Sequence, residues 1–214
     1  MYPRTVLATL LLTALSFESP AQVNKPGTFH LSIGLAAGIH ATQYNVTSTY
    51  FGIPYSSLEK GAALTTTVPI RFAVGVVKPL SIGLLVEPGA YLDSNATRTN
   101  NLLILAVEPR LYIVNTDRFA WTASGQFGFG TLKIREVSGN IRDAKYGGLN
   151  FGIGTGISVF FSERVGMEFN TRYIGTNVKL KSYSEDGSGF SLQNYDAELK
   201  TKGVTVQLGL AFKF

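Results

Sequence analysis

The residues from Gly203 to Phe214, GVTVQLGLAFKF, alternate without a break. Val204, Val206, Leu208, Leu210, Phe212 and Phe214 hold the even positions, and Thr205, Gln207, Gly209, Ala211 and Lys213 the odd ones. A period of two puts successive side chains on opposite faces of a strand, so this segment has one apolar face and one small or polar face. It is long enough to cross a bilayer at a tilt. It would also serve as an edge or core strand of a soluble β-sandwich. The sequence ends on Phe214 with no polar residue after it. An apolar strand in that place calls for apolar surroundings, because chain ends in water fray.

The same alternation recurs along the chain. It marks strands at about 29–40, 63–76, 80–92, 102–114, 119–132, 149–161 and 165–179, and 203–214 makes eight. Pro69 falls inside the second and has no N–H for a ladder, which predicts a bulge or local kink there. The links after the second, fourth and sixth strands are tight, at 77–79, 115–118 and 162–164. Those after the first, third, fifth and seventh are long polar stretches, at 41–62, 93–101, 133–148 and 180–202. In an antiparallel meander all tight links fall at one end and all long ones at the other. That is the asymmetry of an up-and-down barrel with short turns on one side of a membrane and long loops on the other. The expected fold is therefore all-β: an eight-stranded antiparallel up-and-down transmembrane β-barrel.

Past the N-terminus no run of about 20 apolar residues occurs, so strands are the only membrane-crossing elements to expect. The N-terminus reads as a secretion signal. Arg4 supplies the positive charge, Val6–Leu15 the short apolar core, and Ser19-Pro20-Ala21 the small residues before a cut after Ala21. Residues 1–21 are thus a signal peptide and 22–214 a single barrel domain. The chain contains no cysteine, which excludes a disulfide scaffold and thiolate metal sites. Its formal charge is +5, but the basic residues are scattered, so nucleic acid is not an expected partner.

Alternation alone leaves open which face is inside. A soluble barrel would turn the apolar face inward and coat the other with charge. Here the second face is mostly Gly, Ala, Ser and Thr, which suits the narrow interior of an eight-stranded barrel. Its few charges balance in sign: Arg71, Arg110 and Arg172 against Glu87, Glu108 and Glu168, each in mid-strand. Isolated buried charges are costly and paired ones tolerable. These six are read as an ion-pair network plugging the lumen, with Arg71 across the tight 77–79 turn from Glu87, and Glu87 level with Glu108. The apolar face carries Phe119, Trp121 and Phe161 near the tight-turn end, with Phe212 and Phe214 at the same level. That is the placing of an interfacial aromatic girdle.

These features resemble the small outer-membrane β-barrels of the OmpA/OmpX-like, porin-like group. The ending GLAFKF resembles the C-terminal signal read by the outer-membrane assembly machinery, with Phe212 and Phe214 as its aromatics. VEPGAYL (Val86–Leu92) and VEPRLYI (Val107–Ile113) repeat one pattern and resemble mid-barrel strands of outer-membrane β-barrel domains common in Bacteroidetes. The resemblance implies a location in the bacterial outer membrane. It implies contact with outer-membrane lipid and lipopolysaccharide, and dealings with the assembly machinery.

A catalytic centre is not expected. The only histidines are His30 and His40, no His-x-Ser pattern occurs, and no metal, phosphate or cofactor motif is present. GxGxG at Gly152–Gly156 lies on a strand with no helix after it. The expected role is structural or surface-binding. A ligand would meet the aromatics of the first and last long links: Tyr44, Tyr50, Phe51, Tyr55, Tyr183, Phe190 and Tyr195. The alternatives are a small porin-like pore and a lipid A-modifying barrel enzyme. If the strands form a barrel, the detergent-folded protein migrates faster on a gel before boiling than after. If Phe212–Phe214 carry the assembly signal, deleting them abolishes that shift in protein recovered from cell membranes.

Overall fold

Backbone pairing runs well past the apolar stretches that mark the strands in the sequence. The computed structural model describes residues 22–50, 53–94, 99–135, 141–185 and 193–214. Residues 1–21, with the expected signal peptide, lie outside them. The described strands are β1 (Phe29–Tyr50), β2 (Ile53–Thr67), β3 (Ile70–Val77), β4 (Leu80–Asp93), β5 (Asn100–Asn115), β6 (Phe119–Arg135), β7 (Ile141–Phe160), β8 (Val165–Glu185) and β9 (Gln193–Lys213). Every neighbouring pair is antiparallel, and β9 pairs back onto β1 from His30↔Lys213 to Thr49↔Gln193, which closes the sheet into a barrel.

β2 and β3 share one slot in the wall, between β1 and β4, so the barrel has eight staves. The break between them is Val68-Pro69. It is an interruption and not a bulge: Ile33↔Ile70 and Ala36↔Thr67 continue the same register along β1, with no residue inserted. Pro69 cannot donate, but its carbonyl accepts from Gly34 N at 3.1 Å, and Val68 N donates to Pro88 O at 2.8 Å. The gap is thus bridged on both sides. True register shifts lie elsewhere, at Gly75/Val77, Tyr112/Val114 and Lys145/Tyr146.

Three of the four long links expected as loops are largely strand. Residues 41–50 and 53–62 pair as the two arms of a hairpin, from Ala41↔Ala62 to Tyr50↔Ile53. In 133–148, the β6–β7 ladder continues to Arg135↔Asp143, and β7–β8 reaches Ile141↔Glu185. In 180–202, β9 starts at Gln193. The reason is physical: beyond the apolar slab both faces of a strand meet water, so the alternation fades while the backbone ladder carries on. The β4–β5 hairpin is different. Its last pair is Tyr91↔Asn100, and β2 pairs with β4 only as far as Ala63↔Asp93. The wall is therefore low at β4–β5 and tall elsewhere.

The faces are sorted as an inverted globule. Outward residues are apolar and bare: Leu35 is 69% exposed, Phe127 61% and Ile153 70%. Inward residues include Glu87 and Glu108 at 1%. Such an exterior is stable only against lipid, where a closed barrel also leaves no strand edge unpaired.

The tight-turn end is sealed by the residues just before β1. Val23 N donates to Thr116 O, Gly27 N to Gly75 O and Gly75 N to Thr28 O, each at 2.8 Å. Asn24 is fully buried; its Nδ2 donates to the carbonyls of Val77 and Lys78, and Asn115 Nδ2 donates to its carbonyl. Gly27 takes the left-handed φ of +81° that turns this segment into β1. At Gly75 a Cβ would fall 2.2 Å from Lys25 O, so the segment fits only over a glycine. Gly75→Val should displace it and destabilise the barrel by about 1–3 kcal/mol. The measurement is the temperature at which the heat-modifiable gel shift is lost, which should fall.

Candidate functional site: the filled lumen

An eight-stranded barrel has an interior only wide enough for side chains. Its contents here come in three layers. At the tight-turn end Val23, Tyr112, Ala120, Phe160 and Ala211 pack together. Their neighbour His30 turns Nε2 to Asn24 Oδ1 at 3.0 Å.

The middle layer holds all six charges singled out from the sequence, each at most 5% exposed. They divide into two groups. In the first, Arg110 donates from Nε to Glu108 and from Nη1 to Glu168, Gln207 Nε2 donates to Glu168 at 3.4 Å, and Arg71 Nε lies 3.4 Å from Glu108. In the second, Arg172 grips Glu87 with two parallel bonds of 2.9 Å. Thr67 Oγ1 donates to Glu87 at 2.6 Å, and Gln126 Oε1 accepts from Arg172 at 3.1 Å. Gln126 then donates to Asn150, which donates to Thr176.

Two expectations about this layer are corrected. Arg71 does not sit across from Glu87: its ladder partner is Leu85, and its Nη2 donates to Ser81 Oγ at 3.0 Å, toward the tight-turn end. Nor are Glu87 and Glu108 level, since Glu87 pairs with Ile104 and Glu108 with Gly83. The long arginine side chains reach along and across the lumen, so hairpin register does not decide their partners. Glu87 is held from the far wall, by β8.

The third layer fills the long-hairpin half and is apolar, which the sequence reading did not foresee. Ala63, Tyr91, Leu132, Ala144, Tyr146, Val178, Ala197 and Leu199 form one buried cluster. Tyr44 and Tyr183, expected as exposed loop aromatics, pack inward against it. Tyr44 and Tyr146 share a hydroxyl–hydroxyl bond of 2.7 Å across the lumen. Between this cluster and Glu87 lies a cavity of about 30 Å³, lined by Leu102, Ile104, Ile174 and Leu199 opposite His40, Thr65 and Thr205. His40 is buried and bonds Thr65 Oγ1 at 3.0 Å. The signal for this layer was inward parity: Ile104, Leu132, Val178 and Leu199 all hold lumenal positions. Tyr55 is exposed, while Phe51 and Phe190 and the side chains of Tyr50 and Tyr195 lie outside the description.

Phe119, Trp121 and Phe161 face outward near the tight turns, 38%, 43% and 59% exposed. Trp121 Nε1 donates to Thr155 Oγ1 at 2.8 Å. Phe214 exchanges two backbone bonds with Phe29, at 2.9 and 3.1 Å, and so closes the seam between the two ends of the sheet. Among the described residues no helix is long and apolar enough to cross a membrane, and no group of acidic and imidazole side chains could hold a metal ion.

Against solved structures the likeness is to outer-membrane barrels. The chain matches outer membrane protein OprG from Pseudomonas aeruginosa at a TM-score of 0.65, covering 89% of this chain and 97% of that one at 12% identity. It matches outer membrane protein AlkL, determined in lipid bilayers, at 0.55, with 93% and 95% covered and 10% identity. The chain folds as a small outer-membrane β-barrel. No family model and no curated protein matches its sequence. In such a barrel the tight turns face the periplasm and the tall hairpins the outside.

Within it the Arg172–Glu87 pair is the sharpest energetic test. Removing one partner strands the other, a loss of about 3–5 kcal/mol, whereas replacing both with apolar residues of similar volume is near neutral. Arg172→Met should therefore lower stability to urea in lipid vesicles by that amount. The double variant Glu87→Leu/Arg172→Met should recover most of it.

Proposed function

We propose that this protein is a closed, non-enzymatic outer-membrane barrel that acts at its outer face, and that residues 1–21 are the export signal removed on the way. The observation that carries this reading is the layer of six buried, mutually bonded charges across the lumen, backed by the Asn24 seal below it. An ion following the axis would have to break charge-assisted bonds in both groups, each strong in a dry interior. The network thus serves as a plug.

What is left for binding is the outer half. The apolar chamber between Tyr44–Tyr146 and Glu87 is too small to hold more than a water-sized guest as it stands. Its lining of Leu102, Ile104, Ile174, Val178 and Leu199 suits a small apolar group that displaces these side chains. The low β4–β5 wall lies on the side of Tyr91 and Leu102. We assign to Phe212 and Phe214 recognition by the assembly machinery, and to Phe119, Trp121 and Phe161 the periplasmic-side girdle.

Planar bilayers containing the purified protein should show no conductance steps, and steps from the wild type would overturn the plug. Lipid A extracted from cells with and without the protein should give the same mass spectrum. An altered acyl pattern would show a lipid-modifying enzyme instead.

A further inference from the structure

Four lysines stand at one height on four successive staves. Counted along each strand from the periplasmic end, Lys133 is fourteen residues above Phe119, Lys145 fifteen from Phe160, Lys179 fourteen from Val165 and Lys200 thirteen from Lys213. All four face outward, because the residues flanking them in sequence, Leu132, Ala144, Tyr146, Val178, Leu199 and Thr201, are buried in the lumen. At about 3.3 Å per residue and a tilt near 40°, fourteen residues rise about 35 Å, past an apolar band about 25 Å tall. The lysines therefore sit just above the greasy belt, where Leu149, Phe151, Phe129 and Tyr173 end. At the same level β1 carries Gln43 and β5 carries Asn101, which are uncharged, and beyond Gln43 the β2 strand carries Lys60.

Within the wall this arrangement is unfavourable. Lys133 lies directly opposite Lys145 on the neighbouring stave, and like charges in that relation repel. Two carboxylates relieve it in part: Asp143 lies 3.7 Å from Lys133, and Glu198 3.1 Å from Lys200. The hydrogen bond from Lys200 holds the Glu198 carboxyl below its ordinary value, so it stays ionised. These four ammonium groups and two carboxylates leave two positive charges across about 15 Å of wall, and Lys202, outward on β9 two residues nearer the belt than Lys200, adds a third. An anion from outside the chain, at the depth of the outer-leaflet headgroups, would offset them.

We infer that Lys133, Lys145, Lys179 and Lys200 form a binding site for the phosphate groups of the outer-leaflet glycolipid, lipid A, whose acyl chains lie on the belt beneath. Lysine suits this place, because its long flexible stem lets the ammonium reach a phosphate above the belt. The site needs the barrel in the outer membrane but not a closed lumen, so it stands or falls separately from the plug.

Native mass spectrometry of the detergent-folded protein with bis-phosphorylated lipid A, and with the same lipid enzymatically dephosphorylated, tests it. The phosphorylated form should bind and the dephosphorylated form should bind far more weakly. Replacing all four lysines (Lys→Gln) should weaken binding on the order of fivefold for each charge removed, whereas Lys→Arg at all four should retain it. A control with Lys25 and Lys78, at the opposite end, changed to Gln should bind as wild type does. An unchanged heat-modifiable shift in the Gln variant confirms that it is folded. Equal binding of the two lipids, or undiminished binding by the folded Gln variant, would overturn the site.

Discussion

Everything in this barrel follows from a lumen that must be filled with whatever the strands bring to it. The interior of eight staves is only wide enough for side chains to fill, so inward side chains have to satisfy one another. The most demanding of them are the six charges. Arg110 ties β5 to β8 through Glu168, Arg172 ties β8 to β4 through Glu87, and Arg71 ties β3 to β5 through Glu108. None of these pairs of staves adjoins in the ladder, and Arg172–Glu87 joins opposite walls, so the links brace the cylinder through its interior as hydrogen bonds along the wall cannot. Such pairs add little net stability over an apolar filling. What they add is uniqueness: a stave slipped by one residue would turn a carboxylate or guanidinium into lipid.

That penalty is also why the architecture could be read from the sequence. The eight alternating runs, the Gly, Ala, Ser and Thr face and the balanced charges all speak of parity, and parity is a local property. Pairing across the lumen is not. Arg71 was expected beside Glu87 because the tight turn brings their strands together. In the structure Pro69 breaks the wall beside Glu87, and Arg71 bends the other way, to Ser81 and Glu108. The true partner of Glu87, Arg172, is 85 residues away, and nothing local to either residue points to it.

The tall hairpins were illegible for the opposite reason. Ser56-Ser57-Leu58-Glu59-Lys60 looks like a loop because both of its faces can be wet, yet its backbone pairs with β1 throughout. Hydropathy reports where the membrane ends and not where the strand ends. The seal at Asn24 was hidden because seven residues before a strand carry no period at all. Only Gly27, whose positive φ makes the turn, and Gly75, which gives it room, mark the place.

The molecule is also lopsided around its axis, and the asymmetries fall together. Staves β6 to β9 rise high above the belt and carry the lysine row, while β4 and β5 stop low, at Asp93 and Asn100. Strand beyond the membrane gains nothing from lipid, so its length has to be held by its ladder and by packing inside. The inward cluster supplies that packing: Leu132, Ala144, Tyr146, Val178, Ala197 and Leu199 come from β6 to β9, Ala63 from the tall β2, and Tyr91 alone from the low β4. The apolar chamber is therefore the lining that a protruding wall requires, and the lysines stand on the outer surface of that same wall. The tall side thus carries both features of the outer half, the apolar lining within and the lysine row without.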